Sequence, residues 1–303
     1  MTKLYMITGF LGAGKTTFLH EFVRLFAGRR LSIIVNEFGK VGVDGKLLST
    51  LDATLLEIVG GSIFCSCRLD QFEKTLEKAL DETPDVIVIE TSGLSDPTGI
   101  RKILSGARYE KRVEYGGCVC LADPLTLPKI YNTARVCKKQ LSVCDAVVLN
   151  KTDAATAEQL TAAKEIITGQ RPGIPVTQTA FGKIPADFLS SFQAGQGTEE
   201  NGIHTADLSL HSLSVKVNSA MSLYDFTKFL EAFAEDTYRI KGFVELQDEV
   251  YLIDCVGSLV RVISAKNAAG DNSFTVLYGY NLPAKKSVKK AAEWYPGMIL
   301  AIE

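Results

Sequence analysis

Nine residues near the start of the chain, GFLGAGKTT at positions 9–17, limit what it can fold into more than any other feature. They match the pattern GxxxxGK(S/T), which works only where a strand runs into a glycine-rich turn and then into a helix. Apolar Leu4, Tyr5, Met6 and Ile7 precede the stretch, and residues 17–26 after it have helical character. Gly9, Gly12 and Gly14 let the backbone bend, so that successive N–H groups from Gly9 through Ala13 to Thr17 turn toward phosphate oxygens. A helix starting near Lys15 adds its positive end. Lys15 is expected to reach the β- and γ-phosphates, and the Thr16 hydroxyl to ligate Mg²⁺. A chance glycine-rich turn would not need the strand before it and the helix after it. The loop alone does not name a base, so kinases, ATPases and GTPases all remain open.

A second motif narrows the choice. The apolar run 145–149 ends in Asn150-Lys151-Thr152-Asp153, an NKxD sequence at a strand end. The Asp153 carboxylate can accept from both the ring N–H and the exocyclic amino group of guanine, whereas adenine presents it with an acceptor. A hydrogen bond of this kind contributes roughly 1.5–3 kcal/mol, and an unpaired buried carboxylate costs at least as much. GTP is therefore the expected nucleotide. Asn150 is expected to steady the loop and the purine edge, and the Lys151 stem to cover the base plane. Ala180, at the next strand end, is expected to offer a backbone N–H to the guanine oxygen. A nucleoside or metabolite kinase would share the phosphate loop without needing NKxD.

Six short apolar runs, at 4–8, 31–36, 85–90, 117–122, 145–150 and 175–179, end in polar or glycine-rich segments. Helical stretches at 17–26, 71–80 and 157–167 lie among them. Strands rich in Val, Ile and Leu alternating with helices predict an α/β fold, a three-layer P-loop domain with a mostly parallel sheet. Ligands in such sheets sit at the carboxyl ends of the strands. That is where residues 9–17, Glu37, 90–96, Asp123 and 150–153 fall. The first domain is expected over residues 1–195. A polar, glycine-bearing stretch reads as a linker over 196–207. A smaller α+β domain follows over 208–303, with strands at 208–217, within 243–263, at 274–280 and at 298–302. Helices are expected at 223–233 and 284–294, and the lysine pairs 285–286 and 289–290 read as a solvated helix face.

Acids at strand ends complete the expected site. Glu90 closes an apolar strand beside the phosphate-loop strand, well placed to hold Mg²⁺ with Thr16. Glu37 is a second candidate for metal or water, and Asp96 and Asp44 are further acids in the same segments. Lys15, Glu37 and Glu90 are thus the candidate catalytic residues, and Gly93 is expected to offer its N–H to the γ-phosphate. No residue announces itself as a water-orienting group or arginine finger, so slow turnover is expected, reaching down to the ~10⁻⁴ s⁻¹ seen when those parts are missing.

Composition removes other classes. With 46% hydrophobic and 22% charged residues and a formal net charge of −2, the chain is an ordinary globular protein without a polyanion-binding surface. Nucleic acid is not an expected partner. No apolar run approaches the ~20 residues of a membrane span. The N-terminus runs straight into a strand, so neither a signal peptide nor a membrane is expected and a cytoplasmic location follows. Seven cysteines, an odd number, argue for reduced thiols over a disulfide framework.

Together these stretches resemble the CobW/HypB/UreG family of P-loop GTPases, most closely its CobW-like branch. The resemblance rests on GFLGAGKTT (9–17), VNEFGKVGVDG (35–45), GGSIFCSCR (60–68), ETSGLSDP (90–97), NKTD (150–153) and YRIKGFVEL (238–246). It implies GTP hydrolysis coupled to delivery of a transition metal or metal cofactor to a client metalloenzyme or cofactor-dependent protein. It also implies a C-terminal domain that follows nucleotide state. Where that branch carries CxCC, this chain has Ser62-Ile63-Phe64-Cys65, with Cys67 two positions on. In an extended segment Cys65 and Cys67 project to one side, and two thiolates suit zinc or another soft or borderline transition metal. Further ligands would come from Glu37, another cysteine, or a second copy of the chain in a homodimer. Segments 35–44 and 60–68 would act as nucleotide-ordered switches. The competing reading is a GTP-dependent conformational chaperone of a cofactor-dependent enzyme, with structural cysteines. Cys118 and Cys120 share the same spacing but lie in an apolar run, so they are expected in the core with Cys137, Cys144 and Cys255.

Overall fold

In strand β1, Thr2–Gly9, successive side chains point to opposite faces, yet Leu4, Tyr5, Met6 and Ile7 are all buried. A strand of that kind needs cover on both sides. The computed structural model describes residues 1–37, 53–59, 69–197, 210–265, 272–279 and 281–303. Contacts divide the chain into two units, Met1–Tyr131 with Arg135–Ala206 and Asp207–Glu303 with Asn132–Ala134.

The first unit is built on a seven-stranded sheet in the order β3-β2-β4-β1-β5-β6-β7, parallel at every pairing. Its other strands are β2 (Leu31–Glu37), β3 (Ala53–Val59), β4 (Val86–Glu90), β5 (Val113–Ala122), β6 (Ala146–Leu149) and β7 (Val176–Gln178). Helix α1, Lys15–Val23, lays Phe18, Leu19 and Phe22 against Ile7, Val88 and Val119 on one face. Leu4 and Met6 are buried toward the other face. All five residues of β4 are buried, which is why its sequence VIVIE reads as an unbroken apolar run rather than an alternating one. Burying each such aliphatic side chain stabilises the fold by about 1.5–3 kcal/mol.

The helices between the strands are α2 (Leu69–Asp81), α3 (Ile100–Leu104), α4 (Leu127–Thr133), α5 (Arg135–Val143) and α6 (Ala157–Gln170). A capping box, Thr156 with Gln159, starts α6 and satisfies two otherwise orphaned N–H groups. The six expected strands all pair in the sheet, with ends shifted by a few residues. Strand β3 is an addition to the sequence reading. It lies at the sheet edge, its apolar run is broken by Glu57, and Thr54 is exposed. Helices α3, α4 and α5 are also additions. They are short, and α5 buries Gln140 among Val136, Cys137, Leu141 and Val143, which blurs its apolar stripe.

The second unit is a six-stranded sheet in the order β11-β10-β9-β12-β8-β13, antiparallel throughout. The strands are β8 (Leu210–Val217), β9 (Arg239–Leu246), β10 (Glu249–Val256), β11 (Val262–Ser264), β12 (Ser273–Gly279) and β13 (Ile299–Ile302). Helices α7 (Leu223–Glu231) and α8 (Ala284–Ala292) cover one face, with Phe226, Phe229 and Val288 packed on Val215, Ile240 and Phe274. Lys285, Lys286, Lys289 and Lys290 are exposed on α8, as a solvated face requires. Cys118, Cys120, Cys137, Cys144 and Cys255 are all buried, in accord with the sequence reading. Among the described residues no helix is long and apolar enough to cross a membrane.

Candidate nucleotide-binding site

Strand β1 ends between β4 and β5, so the loop that follows it opens at the carboxyl tips of the central strands. The loop is fixed by what glycine alone allows. Gly14 sits at φ 96°, and a Cβ there would lie 2.3 Å from Asn150 Nδ2. Any side chain at Gly14 would be strained by its backbone and would strike the loop of Asn150 at once. The Ala13 N–H closes a turn onto the Phe10 carbonyl at 3.3 Å, and the Ala13 side chain belongs to the α1 core cluster. Ala13 therefore serves the loop through its backbone. Lys15 is buried at the start of α1, and its ammonium donates to the Phe10 carbonyl at 3.1 Å. Thr17 is exposed on the same turn of helix and Gly12 is half-buried.

Thr16 and Glu90 meet. Register pairs Ile7 with Glu90 across β1 and β4, and the Thr16 hydroxyl donates to Glu90 Oε1 at 2.8 Å. Glu90 is 5% exposed. The parallel pairing with β1 continues one residue further, where the Thr91 N–H donates to the Ile7 carbonyl at 3.0 Å. Gly93 follows in contact with the phosphate loop, since a Cβ there would lie 2.6 Å from Leu11 N. The Glu37 backbone closes β2 opposite Val59. Its side chain lies outside the described residues, as do Asp44, Cys65, Cys67 and nearly all of segments 35–44 and 60–68.

The NKTD loop is tied to the phosphate loop by one amide. Asn150 Nδ2 donates to the Ala13 carbonyl at 3.0 Å, and Asn150 Oδ1 accepts from the Gly182 N–H at 3.0 Å. Three loops, after β1, β6 and β7, are thereby joined. Lys151 adopts φ 59°, and its ammonium lies 2.7 Å from Asp123 Oδ2 at the end of β5. Asp123 is almost fully buried, and a buried carboxylate persists only with such a partner. Asp153 is exposed. Ala180 is half-buried, with Phe181 beside it at φ 57° and two-thirds exposed.

A family model described as CobW/HypB/UreG, nucleotide-binding domain, matches residues 3–178. The chain belongs to the CobW/HypB/UreG family. A second model, the cobalamin synthesis protein cobW C-terminal domain, matches residues 210–290. The zinc chaperone YeiR of Escherichia coli (strain K12) is 36% identical over 160 residues, which are 52% of this chain and 49% of YeiR. The zinc chaperone YjiA of the same strain is 31% identical over 226 residues, 72% of this chain and 69% of YjiA. The match thus spans about half the length of the first of these relatives. The crystal structure of Zn(II)-bound YjiA GTPase from E. coli aligns over 97% of this chain and 98% of its own, at 22% identity and a TM-score of 0.49.

Within this family frame the structure brings together Gly9 to Thr17, Glu90, Gly93, Asn150, Lys151, Asp153 and Ala180 around the tips of neighbouring strands. Two contributors escape the sequence reading. Asp123 is visible there only as an acid at a strand end, and its partner Lys151 is 28 residues away. Gln140 is a polar residue on the buried stripe of α5, and that misplacement is its one local signal. The thiols near β5 are core groups. Burial pushes Cys118 well above the usual thiol range and raises Cys137 to about 12. Cys120 is raised by a hydrogen bond with Cys144 and then by burial.

Proposed function

We propose that this chain binds Mg–GTP, hydrolyses it slowly, and couples hydrolysis to delivery of a transition metal, zinc foremost, to a client protein in the cytoplasm. The observation that carries the reading is the Asn150 amide, which joins the phosphate loop at Ala13 to the loop at Gly182. A base reader and a phosphate cradle linked in this way form one site for one nucleotide. Membership of the CobW/HypB/UreG family and the zinc-chaperone names of YeiR and YjiA support the metal cargo.

In this reading Lys15 neutralises the β- and γ-phosphates. The Asp153 carboxylate accepts from guanine, Lys151 covers the base with its stem while Asp123 holds its ammonium, and the Ala180 N–H meets the guanine oxygen. Thr16 Oγ1 and Glu90 Oε1, 2.8 Å apart, are hard oxygen donors of the kind Mg²⁺ takes, and Glu37 is a further candidate. Held there, the ion would supply charge neutralisation for the phosphates. Gly93 offers an N–H toward the γ-phosphate. Cys65 and Cys67 carry the transition metal.

Zinc titration of the wild type and of Cys65→Ser/Cys67→Ser, each with GTP and with GDP, tests the metal role. The wild type is expected to hold zinc about tenfold more tightly with one nucleotide than with the other, a difference of about 1.4 kcal/mol. The double variant loses that difference. Equal, weak and nucleotide-independent binding in both proteins would count against metal delivery. Chelator-insensitive client capture in GTP would then favour a conformational chaperone with structural cysteines.

A further inference from the structure

Two consecutive residues of α5 hold the loop that carries Gly93. Gln140 is 1% exposed, and its Nε2 donates to two carbonyls, Gly93 O at 3.2 Å and Ser95 O at 3.1 Å. Beside it, Lys139 Nζ lies 2.6 Å from Asp96 Oδ2. The other Asp96 oxygen accepts from the Thr98 N–H at 3.0 Å and the Thr98 hydroxyl at 2.5 Å. Residues 93–96 are therefore gripped at three points from one side. On another side the same loop rests on the phosphate loop at Leu11, with no room for a Cβ on Gly93.

These bonds fix the direction of two peptide groups. The Ser92 carbonyl accepts from the Ser95 N–H at 3.0 Å, and the Gly93 carbonyl accepts from Gln140. In a trans peptide the N–H points away from the carbonyl of the same plane. The Gly93 N–H is thus turned away from Ser95, and the Leu94 N–H is turned away from α5. Neither donates to any described residue. Two oriented N–H groups with no partner among the described residues, beside a phosphate loop, form an anion receptor of the kind that stabilises developing charge.

Gln140 also carries a cost that a merely structural residue would not. Its Oε1 is buried with no partner among the described residues, and Gln140 lines a cavity of about 10 Å³ together with Phe10, Leu11, Ala13 and Asp123. Methionine has the same length and would remove that orphaned acceptor, but it would leave the Gly93 and Ser95 carbonyls without their donor, so the amide is explained by what its two N–H groups hold. We propose that Gln140, seconded by Lys139, is a positioning residue that sets the Gly93 and Leu94 N–H groups for the γ-phosphate of GTP. The proposal rests on the GTPase reading above.

The test compares wild type with Gln140→Met and Lys139→Met in GTP hydrolysis, in binding of GDP and of a non-hydrolysable GTP analogue, and in thermal melting. For Gln140→Met, kcat is expected to fall on the order of 10²-fold, the loss that follows from displaced transition-state donors. Affinity for the GTP analogue should fall about tenfold while that for GDP stays within about twofold, the split expected for an interaction made only with the γ-phosphate. Equal losses for GDP and the analogue, or an unchanged kcat in a folded variant, would overturn the proposal. If Gln140→Met does not fold, Lys139→Met decides, since its side chain is 30% exposed. There kcat should drop about tenfold with GDP affinity kept, and an unchanged kcat would overturn the positioning role. A wild type that binds no GTP would sink the GTPase reading and this proposal with it. A wild type that hydrolyses GTP no faster than folded Gln140→Met would remove the positioning role alone.

Discussion

Both ends of the Asn150 amide bond to backbone, one to Ala13 and one to Gly182, so the residue following β6 works first as a joint between loops. The group proposed to discriminate the base is Asp153, which is exposed. Replacing it by asparagine exchanges one acceptor oxygen for a donor, which suits xanthine, whose edge offers an acceptor where guanine has its amino group. Asp153→Asn should therefore lose GTP by roughly 1.5–3 kcal/mol and gain XTP, measured as competition for one site. Unchanged GTP affinity in that variant would show that the loop is wrongly assigned. The thiols give a second prediction at this scale. Of seven cysteines, Cys118, Cys120, Cys137, Cys144 and Cys255 are buried, and burial raises Cys137 to about 12. A colorimetric thiol reagent at mildly alkaline pH should react quickly with Cys65 and Cys67 at most, the other five appearing on denaturation. Because the folded Cys137 holds its proton past the ~8.5 of an unfolded thiol, its contribution to stability is complete below that pH. It is lost as the pH climbs toward about 12. What the sequence reveals at this scale is what must be contiguous: a phosphate loop and an NKxD turn each act through neighbouring residues. Gln140 reaches Gly93 across 47 positions, and no local pattern encodes that distance.

Among elements, the parallel strands are legible because burial on both faces makes them continuous apolar runs, as in β4. Edge strand β3 and the short helices α3 to α5 are not. Their identity comes from tertiary packing rather than from a long period, and the polar residue on the stripe of α5 is there to hold a loop. One polar cluster ties several elements together. Asp145, just before β6, is 1% exposed and accepts from four donors. They are the Gln196 and Gly197 N–H groups at 2.7 and 3.2 Å, and the Tyr115 hydroxyl and Cys118 N–H at 2.9 Å each. Arg101 of α3 and Arg171, after α6, meanwhile bind the carbonyls of Gly195, Gln196 and Gly197. Residues 195–197, the last described before the second unit, are thus strapped to the first. Asp145→Ala would orphan four donors, of which the buried Cys118 and Gly197 N–H groups cost about 1–3 kcal/mol each, so destabilisation of at least about 2 kcal/mol is expected in denaturant unfolding. A loss below about 1 kcal/mol would show that the strap contributes little.

For the whole molecule, the chain forms two units with different sheets, a division that composition alone does not foretell. The parallel sheet brings loops from β1, β4, β6 and β7 to one edge, and the antiparallel sheet with α7 and α8 has its own aromatic core around Phe226, Phe229 and Phe274. The proposal depends on the first sheet reading a purine at one end of a row of strand tips and a triphosphate at the other. Calorimetric titration of the full chain with Mg²⁺ and each of GTP, GDP, ATP and ADP tests that dependence most directly. The account predicts guanine nucleotides bound at least about tenfold more tightly than adenine ones, the worth of one charge-assisted hydrogen bond. Equal affinity for the two bases would contradict it.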